Sequence, residues 1–330
     1  MIAYLFNCEN ETLNQCLLRY VPVSKGLEAE TVIPPLESAF DLFIRPLLGD
    51  DGVSALLAAA ELHEWGDEVP DPVQTKWVRW ALRAVSNLAF WYHYTELSVQ
   101  ITDQGFQRVE TETFKPLYKY QEDALRRSFK NKGFNALDEF LSLMEQHHKL
   151  VGDESVYAAL PVVRDRADLL AHTRKEVERY VFINGSYLTF LRLVPHLRSA
   201  ELTDLEPVIG RELYLRLKSN PADEQLQQIR EHCVPVLSVA AAVALVETTG
   251  SLTDRGLYYA SLRSTTSSTT QAEPVPEAER AMMLDRLQVT LRTYKDALSR
   301  YIREELSDDF PGSPAEAFRR DNTDKHTFWA

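Results

Sequence analysis

The sequence predicts a mainly α-helical chain built from two tandem copies of one helical-bundle unit, each with a small β-hairpin or extended arm. Three observations predict it. Apolar residues recur at helical spacing over long stretches, a block near residue 33 returns near residue 194, and 330 residues is long for one helical core.

The first recurring block runs VIPPLESAFDLFIRPLLGDD and its counterpart LVPHLRSAELTDLEPVIGRE. At an ungapped offset of 161, Pro34 falls on Pro195, Leu36 on Leu197, Ser38 on Ser199 and Ala39 on Ala200. Pro46 then falls on Pro207 and Gly49 on Gly210. Six identities in sixteen positions, including two prolines and a glycine, are hard to reach by chance. The block predicts an amphipathic helix from about Pro35 to Phe43, a turn opened by Pro46, and a left-handed cap or tight bend at Gly49. The pairing with Gly210 predicts that the same bend is made twice.

At an offset of 151 a second block matches Val85 with Val236 and Glu96 with Glu247. It ends in Thr102-Asp103-x-Gly105, which meets Thr253-Asp254-x-Gly256. From Trp77 to Tyr94 nearly every position is apolar, leaving a narrow polar stripe through Arg79, Arg83 and Asn87; such a helix belongs at the centre of a bundle. Its counterpart spans about Gln225 to Glu247, where Pro235 is expected to kink the helix or mark its start. The Thr-Asp-x-Gly ending is turn chemistry, since Asp bonds its own backbone ahead and Gly supplies positive φ. Alternating flanks around Asp103 add the hairpin or arm.

In the third block Ala136-Leu137 matches Ala297-Leu298 and Phe140-Leu141 matches Tyr301-Ile302, again at 161. Here the first copy reads as a helix pair, Lys115 to Lys132 and Asn135 to His147, and the second as one long helix from Glu277 to Glu305. The ten extra residues fit STTSSTTQAEPVPEAE, a polar loop. The expected organisation is thus a first unit over residues 1–160 with its core at about 30–147, a second over 161–306, and a polar, partly disordered tail over 307–330. Phe328 and Trp329 in that tail are partner-contact candidates.

Composition bounds the function. The chain is 45% hydrophobic and 26% charged, and its formal net charge of −13 argues against wrapping nucleic acid. The basic run Arg126, Arg127, Lys130 and Lys132 reads first as a solvated helix end. Cys8, Cys16 and Cys233 lack metal-ligand spacing and read as reduced thiols of a soluble, cytoplasmic protein. The N-terminal residues do not form a signal peptide. The most apolar stretch, Val234 to Val246, is about thirteen residues and contains Pro235, short of a membrane span.

The residues reveal no catalytic, cofactor or metal site. His63-Glu64 opens like HExxH, but Asp67 stands where the second His is needed. His147 and His148 are adjacent and point to different helix faces. His93 and His232 sit on core-type helices with no obvious carboxylate partner. No phosphate loop, dinucleotide fingerprint or nucleophile elbow occurs. Acidic pairs such as Asp50-Asp51 read as turn solvation or caps. The residues singled out are therefore architectural: Pro34, Pro46, Gly49, Thr102, Asp103 and Gly105, with Pro195, Pro207, Gly210, Thr253, Asp254 and Gly256.

The run from Ala39 to Leu48-Gly49, the apolar helix from Trp77 to Tyr94 and the Thr102-Asp103-Gln104-Gly105 turn resemble prophage-associated proteins of gut anaerobes. These in turn look like the helical head–tail connector (adaptor) proteins of tailed phages. The second copy repeats the pattern from Ala200 to Gly210, with Leu213-Tyr214, and at Thr253 to Gly256. The resemblance implies a non-enzymatic structural or assembly protein, cytoplasmic or assembled into the virion. Its partners would be proteins: copies of itself in a ring, or a portal or tail component, with no membrane and no sequence-specific nucleic acid contact. The alternatives are a host helical adaptor or scaffolding protein and, third, an enzyme whose site is assembled from scattered residues.

Overall fold

A computed structural model describes residues 5, 10–22, 29–61, 72–97, 100–102, 105–107, 118–219, 223–249, 260–261, 273–274 and 277–305. They are mostly helical, the class expected. They form two compact units, one ending at Asp165 and the other beginning at Arg166.

The first unit begins with α1 (Asn10–Leu18), α2 (Ala29–Phe43), α3 (Arg45–Glu61) and α4 (Pro72–Tyr92). Helix α2 starts a full turn before the expected Pro35 and carries Pro34 and Pro35 inside it. The amide hydrogens these prolines lack would have met the carbonyls of Glu30 and Thr31, two exposed residues, at the solvent side of the helix start where the loss costs least. Gly49 breaks α3 with φ 65° and ψ −174°, the bend that sequence placed there. That backbone is open to glycine and strained for other residues.

One long helix, α5 (Lys119–Gln146), follows, where a helix pair was expected. The Asn-Lys-Gly-Phe-Asn run reads as a breaker, yet Gly133 stays helical because packing decides. A Cβ there would lie 2.7 Å from Cγ of Leu88, so the missing side chain is what lets α5 lie close against α4. Trp77 of α4 stacks on Phe140 of α5, with centroids 5.2 Å apart and planes 6° apart. Between α4 and α5, β1 (Gln100–Thr102) pairs antiparallel with β2 (Gly105–Gln107), setting Thr102 opposite Gly105. Short turns over His148–Val151, Glu154–Ala159 and Pro161–Arg164 close the unit. Asp153 caps the middle one, its carboxylate accepting from the amides of Ser155 and Val156 at 3.0 Å.

The second unit opens on an irregular stretch with one turn, Arg174–Glu178, and continues into α6 (Tyr187–Ala200). A π-helical turn, Glu201–Leu205, leads to a single α-turn at Glu206–Ile209. Gly210 then takes φ 82° and ψ 152°, and α7 (Arg211–Ser219) follows. Helix α8 (Glu224–Thr249) is capped by Asp223, which accepts from the amides of Gln225 at 3.0 Å and Leu226 at 3.2 Å. Pro235 lies inside α8 and does not mark its start. By length and composition Glu224–Glu247 would suffice to cross a membrane, which corrects the thirteen-residue reading; 72% of its most apolar window is buried. Two short strands, β3 (Ala260–Ser261) and β4 (Glu273–Pro274), pair antiparallel, and α9 (Glu277–Glu305) packs on α8.

Burial at aligned positions runs in parallel. Leu36 and Leu197, Ala39 and Ala200, Ile44 and Leu205, Leu48 and Ile209, and Val85 and Val236 are all buried. Pro34 and Pro195 are exposed, as are Pro46 and Pro207.

Candidate functional site

Two features stand apart from ordinary helix packing: a polar clamp in the second unit and an aromatic platform in the first.

The clamp centres on Glu201, first residue of the π-turn, whose side chain is 3% exposed. Its carboxylate accepts from the amide of Leu170 at 2.6 Å and from the Tyr214 hydroxyl at 3.1 Å, and it pairs with Nζ of Lys218. Lys218 also donates to the carbonyl of Asp168. A second knot forms at Arg230 of α8. Its Nε donates to the Leu170 carbonyl at 2.6 Å, and its Nη2 pairs with Glu176 and lies 3.1 Å from Nδ1 of His172. Glu176 in turn accepts from the amides of His172 at 3.1 Å and Thr173 at 2.9 Å. Buried Arg166 donates to the His172 carbonyl and the Tyr187 hydroxyl, both at 2.5 Å. The outer edge is closed by Arg198, bidentate on Asp168 at 2.8 and 2.9 Å.

These bonds tie the irregular stretch from Asp168 to Thr173 onto α6, α7, α8 and the π-turn. Burial, then the neighbouring Glu201 charge, pushes the Cys233 thiol up to about 12, so it stays protonated and unreactive at neutral pH. Burial and Glu201 likewise push the Tyr214 hydroxyl up to about 12. Burial lowers the His172 pKa, and Arg230 adds to that against the opposing pull of Glu176.

The platform lies at the C-terminal end of α4. Phe43 of α2 meets Trp91 and Tyr92 of α4 at 6.2 Å each, and Phe134 of α5 at 5.9 Å. Trp91 and Phe134 are 5.5 Å apart. Nζ of Lys130 sits 5.6 Å from the Trp91 ring centroid, a cation–π contact. Tyr92 is 52% exposed and Leu42, next to Phe43, is 48% exposed, while Phe43, Trp91 and Phe134 are half-buried, so the cluster reaches the surface at Tyr92. Arg126, Lys130 and Lys132 are exposed on the same helix, α5.

Alignment of the two halves isolates both features. Phe43 and Phe134 align with Asp204 and Lys295, which form an ion pair at 2.7 Å in the second unit. Trp91 and Tyr92 align with Ala242 and Val243, and Lys130 with Leu291. Conversely Glu201, Tyr214 and Lys218 align with Phe40, Val53 and Leu57.

Sequence reasoning missed both features. Each half of the clamp is scattered over more than thirty residues, and only the exchange of buried Phe40 for Glu201 in the alignment signalled it. The expected architectural residues hold separate bends and do not converge: Pro34 and Pro195 lie within helices, Pro46 and Pro207 in the turns before Gly49 and Gly210. Thr102 and Gly105 are strand partners. Asp103, Thr253, Asp254, Gly256, Phe328 and Trp329 lie outside the described residues, as does His63. The polar stripe on α4 is exposed at Arg79 and Arg83 but fully buried at Asn87, whose Nδ2 donates to the Arg83 carbonyl at 2.8 Å and the Tyr20 carbonyl at 3.4 Å. His93 does have a carboxylate partner, Glu96, 2.6 Å from its Nδ1, and His232 stacks on Tyr301. No group of three or more metal-ligating side chains occurs among the described residues.

Residues 44–150 match the model of a family described as a family of unknown function (DUF6712). That stretch holds α3, α4, α5 and most of the platform. No curated protein and no solved structure matches the chain.

Proposed function

We propose that the chain is a non-enzymatic structural or assembly protein, a head–tail connector-like component of a phage or prophage, acting through helix-face protein contacts. The observation that carries this reading is the partly exposed aromatic cluster of Phe43, Trp91, Tyr92 and Phe134, which reaches the surface at Tyr92 with Lys130 beside it. Exposed aromatic clusters bordered by cations are the composition of protein-contact centres, where aromatic residues anchor binding. Its partners are copies of itself or a portal or tail component, met in the cytoplasm or in the assembling virion.

The chain carries two copies of one helical unit in this reading. Support comes from Gly49 and Gly210, which align and both take positive φ with extended ψ, and from the parallel burial around them. In such a protein the buried charges of the second unit serve as a clamp that holds one arrangement.

Size-exclusion chromatography with light scattering, followed by negative-stain imaging, tests the reading. Rings or discrete multimers are expected. A chain that stays monomeric at high concentration would sink it, and so would a metabolic operon around the gene in place of portal, capsid or tail genes.

A further inference from the structure

Glycine follows asparagine once in the chain, at Asn184-Gly185. These are the central residues of a tight turn just before α6, closed by the Ser186 amide donating to the Ile183 carbonyl at 3.0 Å. Both take positive φ, 52° at Asn184 and 66° at Gly185, and Asn184 is the one non-glycine residue to do so among the described residues. Two positive φ values in succession are the type I′ arrangement, which Asn-Gly fits best. Ile183 before the turn and Ser186 after it are buried, whereas Asn184 is exposed to water.

The turn is gripped from the side by the short helix Arg174–Glu178. Glu178 Oε1 accepts from the Gly185 amide at 2.5 Å, and Arg174 Nη1 donates to the Gly185 carbonyl at 2.7 Å. The same Arg174 nitrogen pairs with Glu178 Oε2 at 3.2 Å. One ion pair therefore holds both backbone groups of Gly185. Its side chains are 12% and 31% exposed, so water competes for these bonds only in part. A side chain on Gly185 would crowd the grip, since a Cβ there would lie 3.3 Å from Arg174 Nη1.

We infer that Asn184-Gly185 is a latent modification site, a point of spontaneous deamidation that the Arg174–Glu178 pair keeps shut. In the reaction the Gly185 nitrogen gives its proton to solvent base, and its electron pair forms a bond to Cγ of Asn184. Ammonia leaves, taking a proton from water, and a five-membered succinimide remains. Water then adds across one of the two carbonyl–nitrogen bonds of the ring. The product is aspartate or, where the chain now runs through Cβ, isoaspartate; nothing is oxidised. Glycine after asparagine makes this step easy, because no side chain hinders the attacking nitrogen. In the closed turn that nitrogen's proton is engaged by Glu178, and with both ends of Gly185 held the nitrogen cannot swing onto Cγ. The reaction therefore waits for a local opening of the turn. Either product sets a new negative charge beside Glu178, and isoaspartate adds a backbone atom just before Ser186, whose Oγ caps α6 by accepting from the Thr189 amide at 3.1 Å. A turn once modified does not close again, so the site keeps a permanent mark of having opened.

The full chain is incubated at mildly alkaline pH and digested, and the peptide carrying residue 184 is followed by mass spectrometry, with enzymatic methylation of isoaspartate as a second readout. Folded wild type is expected to keep Asn184, and the same chain unfolded in urea to lose it fast. Glu178→Ala should deamidate about tenfold faster than folded wild type, with far-UV circular dichroism unchanged. Glu178→Gln, which can still accept from the Gly185 amide, should fall between the two. If Glu178→Ala loses helix content, Arg174→Gln and wild type in urea below its unfolding midpoint serve instead, and each should speed the loss. Equal rates in folded and unfolded wild type would overturn the inference, as would an unfolded chain that keeps Asn184. A folded Glu178→Ala no faster than wild type would also overturn it, and a slower one would make Glu178 the base that starts the reaction.

Discussion

Replacing Glu201 by alanine removes the acceptor for three groups at once: the Leu170 amide, the Tyr214 hydroxyl and Nζ of Lys218. Breaking a buried pair from one side costs about 3–5 kcal/mol, because the remaining charge is stranded. Lys218 is 22% exposed and reaches water in part, which places the expected loss near the lower end, about 3 kcal/mol. With a urea slope of about 2 kcal/mol per molar, the midpoint should fall by about 1.5 M. Circular dichroism follows helix loss in the whole chain. Tryptophan fluorescence in a Trp329→Phe background gives a control, since Trp77, Trp80 and Trp91 lie in the first unit; their transition should move less. The first unit also suggests the repair. Glu201→Phe, Tyr214→Val and Lys218→Leu together install the residues found at its aligned positions; the Leu170 amide loses its acceptor and the carbonyl of exposed Asp168 loses its Lys218 donor, at a loss of about 1 kcal/mol. An unchanged midpoint for Glu201→Ala would refute the clamp, as would a triple variant weaker than the single one.

Gly49→Ala and Gly210→Ala should each destabilise by about 1–3 kcal/mol, because both positions hold positive φ with extended ψ. Gly49→Ala should be the worse of the two, since its Cβ would also meet Pro161 Cδ at 3.1 Å; thermal melts with a lower midpoint for both check this. Gly133→Ala gains helix propensity but drives a methyl into Leu88, for a net loss of about 1–3 kcal/mol, read as a lower urea midpoint. For pH the sign follows from His172, whose folded pKa is lowered below the ordinary 6.5 by burial. The unfolded chain then binds the proton more readily, so stability is full above about pH 6.5 and falls as pH drops below it toward the folded value. His172→Gln should flatten that part of the stability–pH profile, and an unaltered slope would argue against it.

Much of the fold was legible because it rests on local chemistry. Gly49 and Gly210 could be read as bends since few other residues tolerate that backbone, and the apolar run from Trp77 could only be an enclosed helix. The failures have a common cause, tertiary packing overruling a local signal. Gly133 looked like a helix break until Leu88 occupied the space its side chain would need. Asn87 looked like part of a solvent stripe until the Tyr20 carbonyl covered it. The platform and the clamp were the least legible, because each joins residues from separate helices whose types are unremarkable singly. Lys130 reads as a solvated helix end, and only the ring of Trp91 beneath it changes what it means.

At aligned positions one unit is fastened by the rings of Phe43 and Phe134 and the other by the charges of Asp204 and Lys295. Dissolved salt acts oppositely on these two fastenings. Ionic strength screens the Asp204–Lys295 pair, whereas sulfate or phosphate strengthens apolar association. A rise in such salts therefore loosens the second unit at this position and tightens the first, while the apolar core of each unit gains alike.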